Sequence, residues 1–130
     1  MAGWVAGWLA GPVGGGCGRH DVHTTSMDST TGISEGAGGW LVPLNDTETM
    51  ADIASALKTD VILVVGMRLG CINHAMLTVE DIQSRGLRVA GWIANLIDPD
   101  LAVQQAHIET LSPRTNSPLL RTVPHTPDVA

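Results

Sequence analysis

The chain has 130 residues and a formal net charge of −6, from seven Lys and Arg against thirteen Asp and Glu; this suits a single domain and excludes the basic footprint of a nucleic-acid binder. Apolar residues make up 44%, enough for a packed core and against global disorder. The only aromatics are Trp4, Trp8, Trp40 and Trp92, too few for a base-stacking platform, and the two cysteines, Cys17 and Cys71, make no disulfide framework.

Glycine divides the chain, with eleven of its fifteen glycines in residues 1–39. Met1 to Gly18 (MAGWVAGWLAGPVGGGCG) is uncharged and as long as a membrane span, with Gly3, Gly7 and Gly11 at small-xxx-small spacing. Seven glycines and a proline in those eighteen residues argue against a spanning helix, and no Lys or Arg precedes the stretch as in a secretory signal. Arg19 to Ile33 is polar and has neither the strand nor the helix period. His20 and His23 with Asp21 find no further ligand at zinc spacing. Residues 1–33 therefore read as a low-complexity, disordered leader, and 34–130 as an α/β domain.

In the second part strand and helix signals alternate. Asn45 to Thr47 caps a short helix with the stripe Met50, Ile53, Ala54 and Leu57. Asp60 to Gly66 (DVILVVG) has five successive aliphatics, the pattern of a strand buried on both faces. Ile72, Ala75, Met76, Val79 and Ile82 recur at helical spacing, and Gly86 stands where a C-terminal cap belongs. Leu87 to Ala94 reads as a strand. Asp98-Pro99 opens a helix carrying Leu101, Ala102, Ala106, Ile108 and Leu111, and Leu119 to Val123 is a last strand. This order predicts a parallel sheet flanked by helices, with ligands beyond the carboxyl ends of the strands. The loops to watch are Glu35–Trp40, Gly66–Asn73, Asn95–Pro99 and Pro124–Pro127.

In Glu35-Gly36-Ala37-Gly38-Gly39 the glycines let backbone N–H groups approach an anion, and the carboxylate can hold a magnesium ion; such a run also serves as a plain turn. Gly70 to Asn73 opens a helix whose N–H groups suit a carboxylate or phosphate. Cys71 is a packing residue or a thiol with His74 as its base, and His107 is a solvated or satisfied side chain. No GxxxxGK[ST] phosphate loop occurs: the one lysine, Lys58, is framed by no glycine.

Three segments together resemble dethiobiotin synthetase: Glu35 to Trp40 (EGAGGW), Val61 to Gly66 (VILVVG) and, above all, Leu69 to Thr78 (LGCINHAMLT). Gly86-Leu87, Ala90 to Asn95 and Pro118-Leu119-Leu120 through Pro124 follow in order, so the likeness spans about residues 34–127. It corresponds to the C-terminal half of a family member. The resemblance implies part of a P-loop NTPase-like parallel sheet, in a cytoplasmic homodimer. It implies ATP- and magnesium-dependent carboxylation and ring closure of 7,8-diaminononanoate with carbon dioxide. Glu35 would ligate magnesium, and Glu35, Gly36, Ala37 and Gly38 would line the ATP phosphates. Asn95 and Leu96, facing Pro124, His125 and Thr126, would hold adenine. Gly70, Cys71, Ile72 and Asn73 would bind the substrate carboxylate. Without a phosphate loop this chain is expected to be inactive alone, the alternative being a non-catalytic module that associates with full-length subunits.

Overall fold

The computed structural model describes residues 6–10, 23–24, 32–36 and 38–127. Its elements run β1 (Ala6–Ala10), β2 (His23–Thr24), β3 (Gly32–Glu35), α1 (Met50–Leu57), β4 (Asp60–Gly66), α2 (Cys71–Ser84), β5 (Val89–Asn95), α3 (Gln104–Arg114) and β6 (Leu119–Val123). The strands form one sheet in the order β2-β3-β1-β4-β5-β6.

From Asp60 onward the sheet is parallel, β4 with β5 and β5 with β6, as the strand–helix alternation predicts. The other half is antiparallel. β1 pairs with β4 on one side and β3 on the other, and β2 pairs with β3. Residues 1–33 thus contribute strands where the composition predicts none; the rest of that stretch lies outside the described residues. The physical reason lies in the backbone: the edge of β4 offers N–H and C=O groups that need partners, and an uncharged, proline-free run such as AGWLA can supply them without a hydrophobic period. Among the described residues no helix is long and apolar enough to cross a membrane.

Burial along β4 alternates. Val61, Leu63 and Val65 are fully buried, whereas Ile62 and Val64 are only half-buried. The register sets Leu63 beside Trp92 and Val65 beside Ala94, and these side chains share one buried cluster with Ala51 and Ala54 of α1, Ala75, Val79 and Ile82 of α2, and Leu111 of α3. The expectation of burial on both faces is therefore corrected: the described helices join the core on one face, and period-2 alternation leaves Ile62, Val64 and Ile93 on the other.

Local signals place α2 well. Gly86, with φ of +75°, follows the C-cap Arg85; its N–H donates to the Gln83 carbonyl at 2.9 Å and that of Leu87 to the Ile82 carbonyl at 3.2 Å. This is the Schellman closure, which needs a residue without a Cβ at its left-handed position. Two caps differ from expectation. Thr49 caps α1, with the Asp52 carboxylate reaching back to its N–H at 2.6 Å, while Asn45 Oδ1 accepts from Thr47 and Glu48 in the turn before it. Asp98 opens a turn rather than α3: its carboxylate accepts the Asp100 N–H, and the helix begins six residues later at Gln104. Asn and Asp satisfy a turn as readily as a helix end, and sequence does not separate the two.

Among the described residues Trp92 is the largest fully buried side chain, and its indole nitrogen finds no hydrogen-bond partner there. Removing the ring by Trp92→Ala is expected to lower unfolding free energy by about 3–5 kcal/mol. Trp92→Phe is expected to stay within about 1 kcal/mol, because the lost volume is offset by removal of an unsatisfied donor. Urea titration of the three proteins measures both differences.

Candidate functional site

Gly38 and Gly39 adopt φ values of +86° and +124°, a backbone that favours glycine, and they turn the chain so that Trp40 points inward, 5% exposed. The next residues run back to α1, where the Met50 N–H donates to the Val42 carbonyl at 3.0 Å. Between this loop and α2 lies a cleft of about 400 Å³. One wall is the loop from Gly38 to Pro43; the other is the α2 stripe His74, Leu77 and Thr78, with Leu63 of β4 also lining it. The stripe follows helical spacing, and Leu41 and Leu77 at the rim are exposed.

One turn further along α2 from Leu77 and Thr78, Asp81 meets Trp40 of the loop wall. Its Oδ2 accepts the Trp40 indole N–H at 2.5 Å and the Arg85 Nε–H at 2.6 Å. Arg85 also donates to Asp52 Oδ1 at 2.9 Å, and Asp52 in turn caps α1. Hydrogen bonds from the Thr49 N–H, the Arg85 guanidinium and the Thr49 hydroxyl hold the Asp52 carboxyl below its ordinary range. Asp81, then Asp52, raise the already high pKa of Arg85. Because the Asp52 pKa is lowered in the folded protein, its stabilisation is complete above the ordinary carboxylate value and is lost as pH falls through the lower folded value. Thermal melts between about pH 5 and pH 2 are therefore expected to drop less steeply for Asp52→Asn than for the unaltered chain.

A second cavity, about 350 Å³, lies at the carboxyl ends of β5 and β6. Asn95, Leu96 and Ile97 form one side; Val123, Pro124, His125 and Thr126 form the other. The ladder itself spaces these walls. The Met67 N–H donates to the Asn95 carbonyl at 2.8 Å, and the Leu96 N–H donates to the Val123 carbonyl at 2.9 Å. Ile97 folds back over the end of β4, where a Cβ on Gly66 would stand 2.8 Å from its Cδ1. The lining offers an amide, an imidazole and a hydroxyl among apolar side chains, suited to a flat heteroaromatic ligand.

The remaining candidates are spread along the same sheet. Glu35 is exposed at the end of β3, level with Ile62 through the intervening Gly7 of β1, and lines neither cavity. Gly36 is buried, Gly38 borders the cleft, and Ala37 lies outside the described residues. Gly70, with φ of +88°, is the N-cap of α2; Cys71 is buried, Ile72 packs against the core and Asn73 is exposed. The Cys71 sulfur lies 3.6 Å from His107 Nδ1, so α3 supplies its histidine neighbour, while His74 lines the cleft. Among the described residues no three His, Cys, Asp or Glu side chains gather as a metal cluster. The sequence singles out neither Val123 of the second cavity nor Asp81 of α2, and it reaches Ile97 only within the loop Asn95–Pro99. The i,i+4 spacing of Asp81 and Arg85 is the local signal for that pair; Asp52 and Trp40 reach it across 33 and 41 residues.

Residues 24–130 match the family described as "AAA domain". The ATP-dependent dethiobiotin synthetase BioD of Cellvibrio japonicus is 56% identical over 92 residues, 71% of this chain and 40% of that protein. The same-named proteins of Aromatoleum aromaticum and Nitrosospira multiformis are 57% and 50% identical over 93 residues, each match covering 72% of this chain and 41% of theirs. The chain thus spans about 40% of the length of the curated relatives it matches.

Proposed function

Since the chain belongs to the AAA-domain family matched over residues 24–130, we propose that it carries the adenine-binding and substrate-carboxylate portions of an ATP-dependent dethiobiotin synthetase. The observation that supports this best is the cavity at the ends of β5 and β6: five residues assigned to adenine by resemblance, Asn95, Leu96, Pro124, His125 and Thr126, line it together.

In this reading the Asn95 carboxamide offers a donor and an acceptor to the edge of the base, while Leu96 and Pro124 supply apolar walls. The amides of Gly70 to Asn73 at the start of α2 receive the carboxylate of 7,8-diaminononanoate, assisted by the helix dipole. The Glu35 carboxylate is exposed and of the hard-oxygen type that magnesium prefers. Magnesium commonly takes one or two carboxylates and completes its shell with water and phosphate oxygens, so Glu35 fits as a single protein ligand. Bound there, the ion would neutralise charge on the phosphate oxygens. The reaction itself is carbamate formation on one amine with carbon dioxide, phosphorylation of the carbamate by ATP, and closure by the second amine with loss of phosphate. Homodimers in the cytoplasm are the assembly and location that go with this activity.

Phosphoryl transfer depends on positioned cations around the phosphates. The one lysine of the 130 residues, Lys58, is the C-cap of α1, two residues before the amino end of β4 and remote from the carboxyl ends where ligands bind. A phosphate-loop lysine is thus absent from this sequence. The 130-residue chain alone is expected to show no ring closure when incubated with the diamine, bicarbonate and Mg·ATP. Adenosine binding measured by calorimetry is expected to weaken about tenfold in Asn95→Ala, the loss of hydrogen bonds to the base. Unchanged adenosine affinity in that variant would remove the adenine assignment.

A further inference from the structure

We propose that Asp81 is a positioning residue that sets the glycine-rich turn Glu35–Gly39 through the indole of Trp40. The proposal deepens the function above and rests on the assignment, implied by the resemblance to dethiobiotin synthetase, of Glu35 to Gly38 to the ATP phosphates.

A turn with three glycines among its five residues has few side chains with which to fix its own conformation, so what holds its two ends matters the more. Before the turn, Glu35 is held by strand pairing with β1. After it, Gly38 and Gly39 are followed at once by Trp40, which is buried and whose N–H reaches Asp81 at 2.5 Å. Carboxylate–indole bonds of this kind are charge-assisted and directional. Asp81 Oδ2 also accepts from Arg85 Nε, and Arg85 donates in turn to Asp52 of α1. The position is also in phase with the cleft wall: His74, Leu77, Thr78 and Asp81 lie on one stripe of α2. The loop is therefore fastened to α1 by backbone pairing at Val42 and to α2 by the indole, and of these two fastenings the indole bond is the nearer to the glycines.

Three single variants of the full 130-residue chain separate this from general support of α2. Asp81→Ala removes the acceptor, Asp81→Asn keeps an acceptor oxygen without the charge, and Arg85→Ala leaves the carboxylate in place. Amide exchange over residues 36–43 is expected to quicken about tenfold in Asp81→Ala and to stay within about twofold in the other two. The Trp40 indole N–H resonance, identified by its absence in Trp40→Phe, should move upfield in Asp81→Ala alone. Unchanged exchange and resonance in Asp81→Ala overturn the proposal, as does an equal response in Arg85→Ala. Binding of Mg·ATP and of adenosine reads the functional assignment separately. Asp81→Ala should weaken Mg·ATP about tenfold while adenosine stays within about twofold. If exchange and resonance respond while Mg·ATP does not, the positioning role stands and the phosphate assignment of the turn falls.

Discussion

The parallel ladder from Ile62–Gly66 of β4 to Gly91–Asn95 of β5 is the constraint from which the candidate site follows. It brings Gly66 level with Asn95 at the carboxyl ends of the strands, and two further hydrogen bonds, Met67 to Asn95 and Leu96 to Val123, carry the pairing just past the strand ends. The cavity there is a product of backbone geometry more than of its lining side chains. It also explains why β4 ends in glycine: Ile97 occupies the space that a side chain at Gly66 would need. The same ladder sets Leu63 beside Trp92 on the helix-covered face, so the packing that stabilises the sheet and the spacing that shapes the cavity share one register.

The cleft beside α2 is held differently. A chain of half-exposed charges runs from Thr49 and Asp52 through Arg85 to Asp81 and the Trp40 indole. Exposed ion pairs contribute little to stability singly. Here the geometry matters more than the energy, because three segments remote in sequence meet at one guanidinium and one carboxylate. Arg suits that junction, since its planar fork can donate to two carboxylates in fixed directions, as lysine cannot.

Elements with a strong local signal were legible beforehand. The five aliphatics of β4, the stripe and terminal glycine of α2, and the short run of β6 all appear within a residue or two of where pattern puts them. Asp98 and Asn45 misled because a short polar side chain closes a turn by the same hydrogen bond that it would use to cap a helix. β1 and β2 were invisible for another reason: their pairing answers a need of the β4 and β3 edges, not a property of their own residues.

By itself the sequence determined the strand–helix alternation, the absence of a phosphate-loop lysine and the likeness carried by LGCINHAMLT, all of which reside in contiguous residues. Only the tertiary structure decided which face of β4 is buried, that Cys71 meets His107 rather than His74, and that Trp40 is gripped by Asp81. Those outcomes depend on which elements pack together across tens of residues, and local propensity holds no information about a partner that far along the chain.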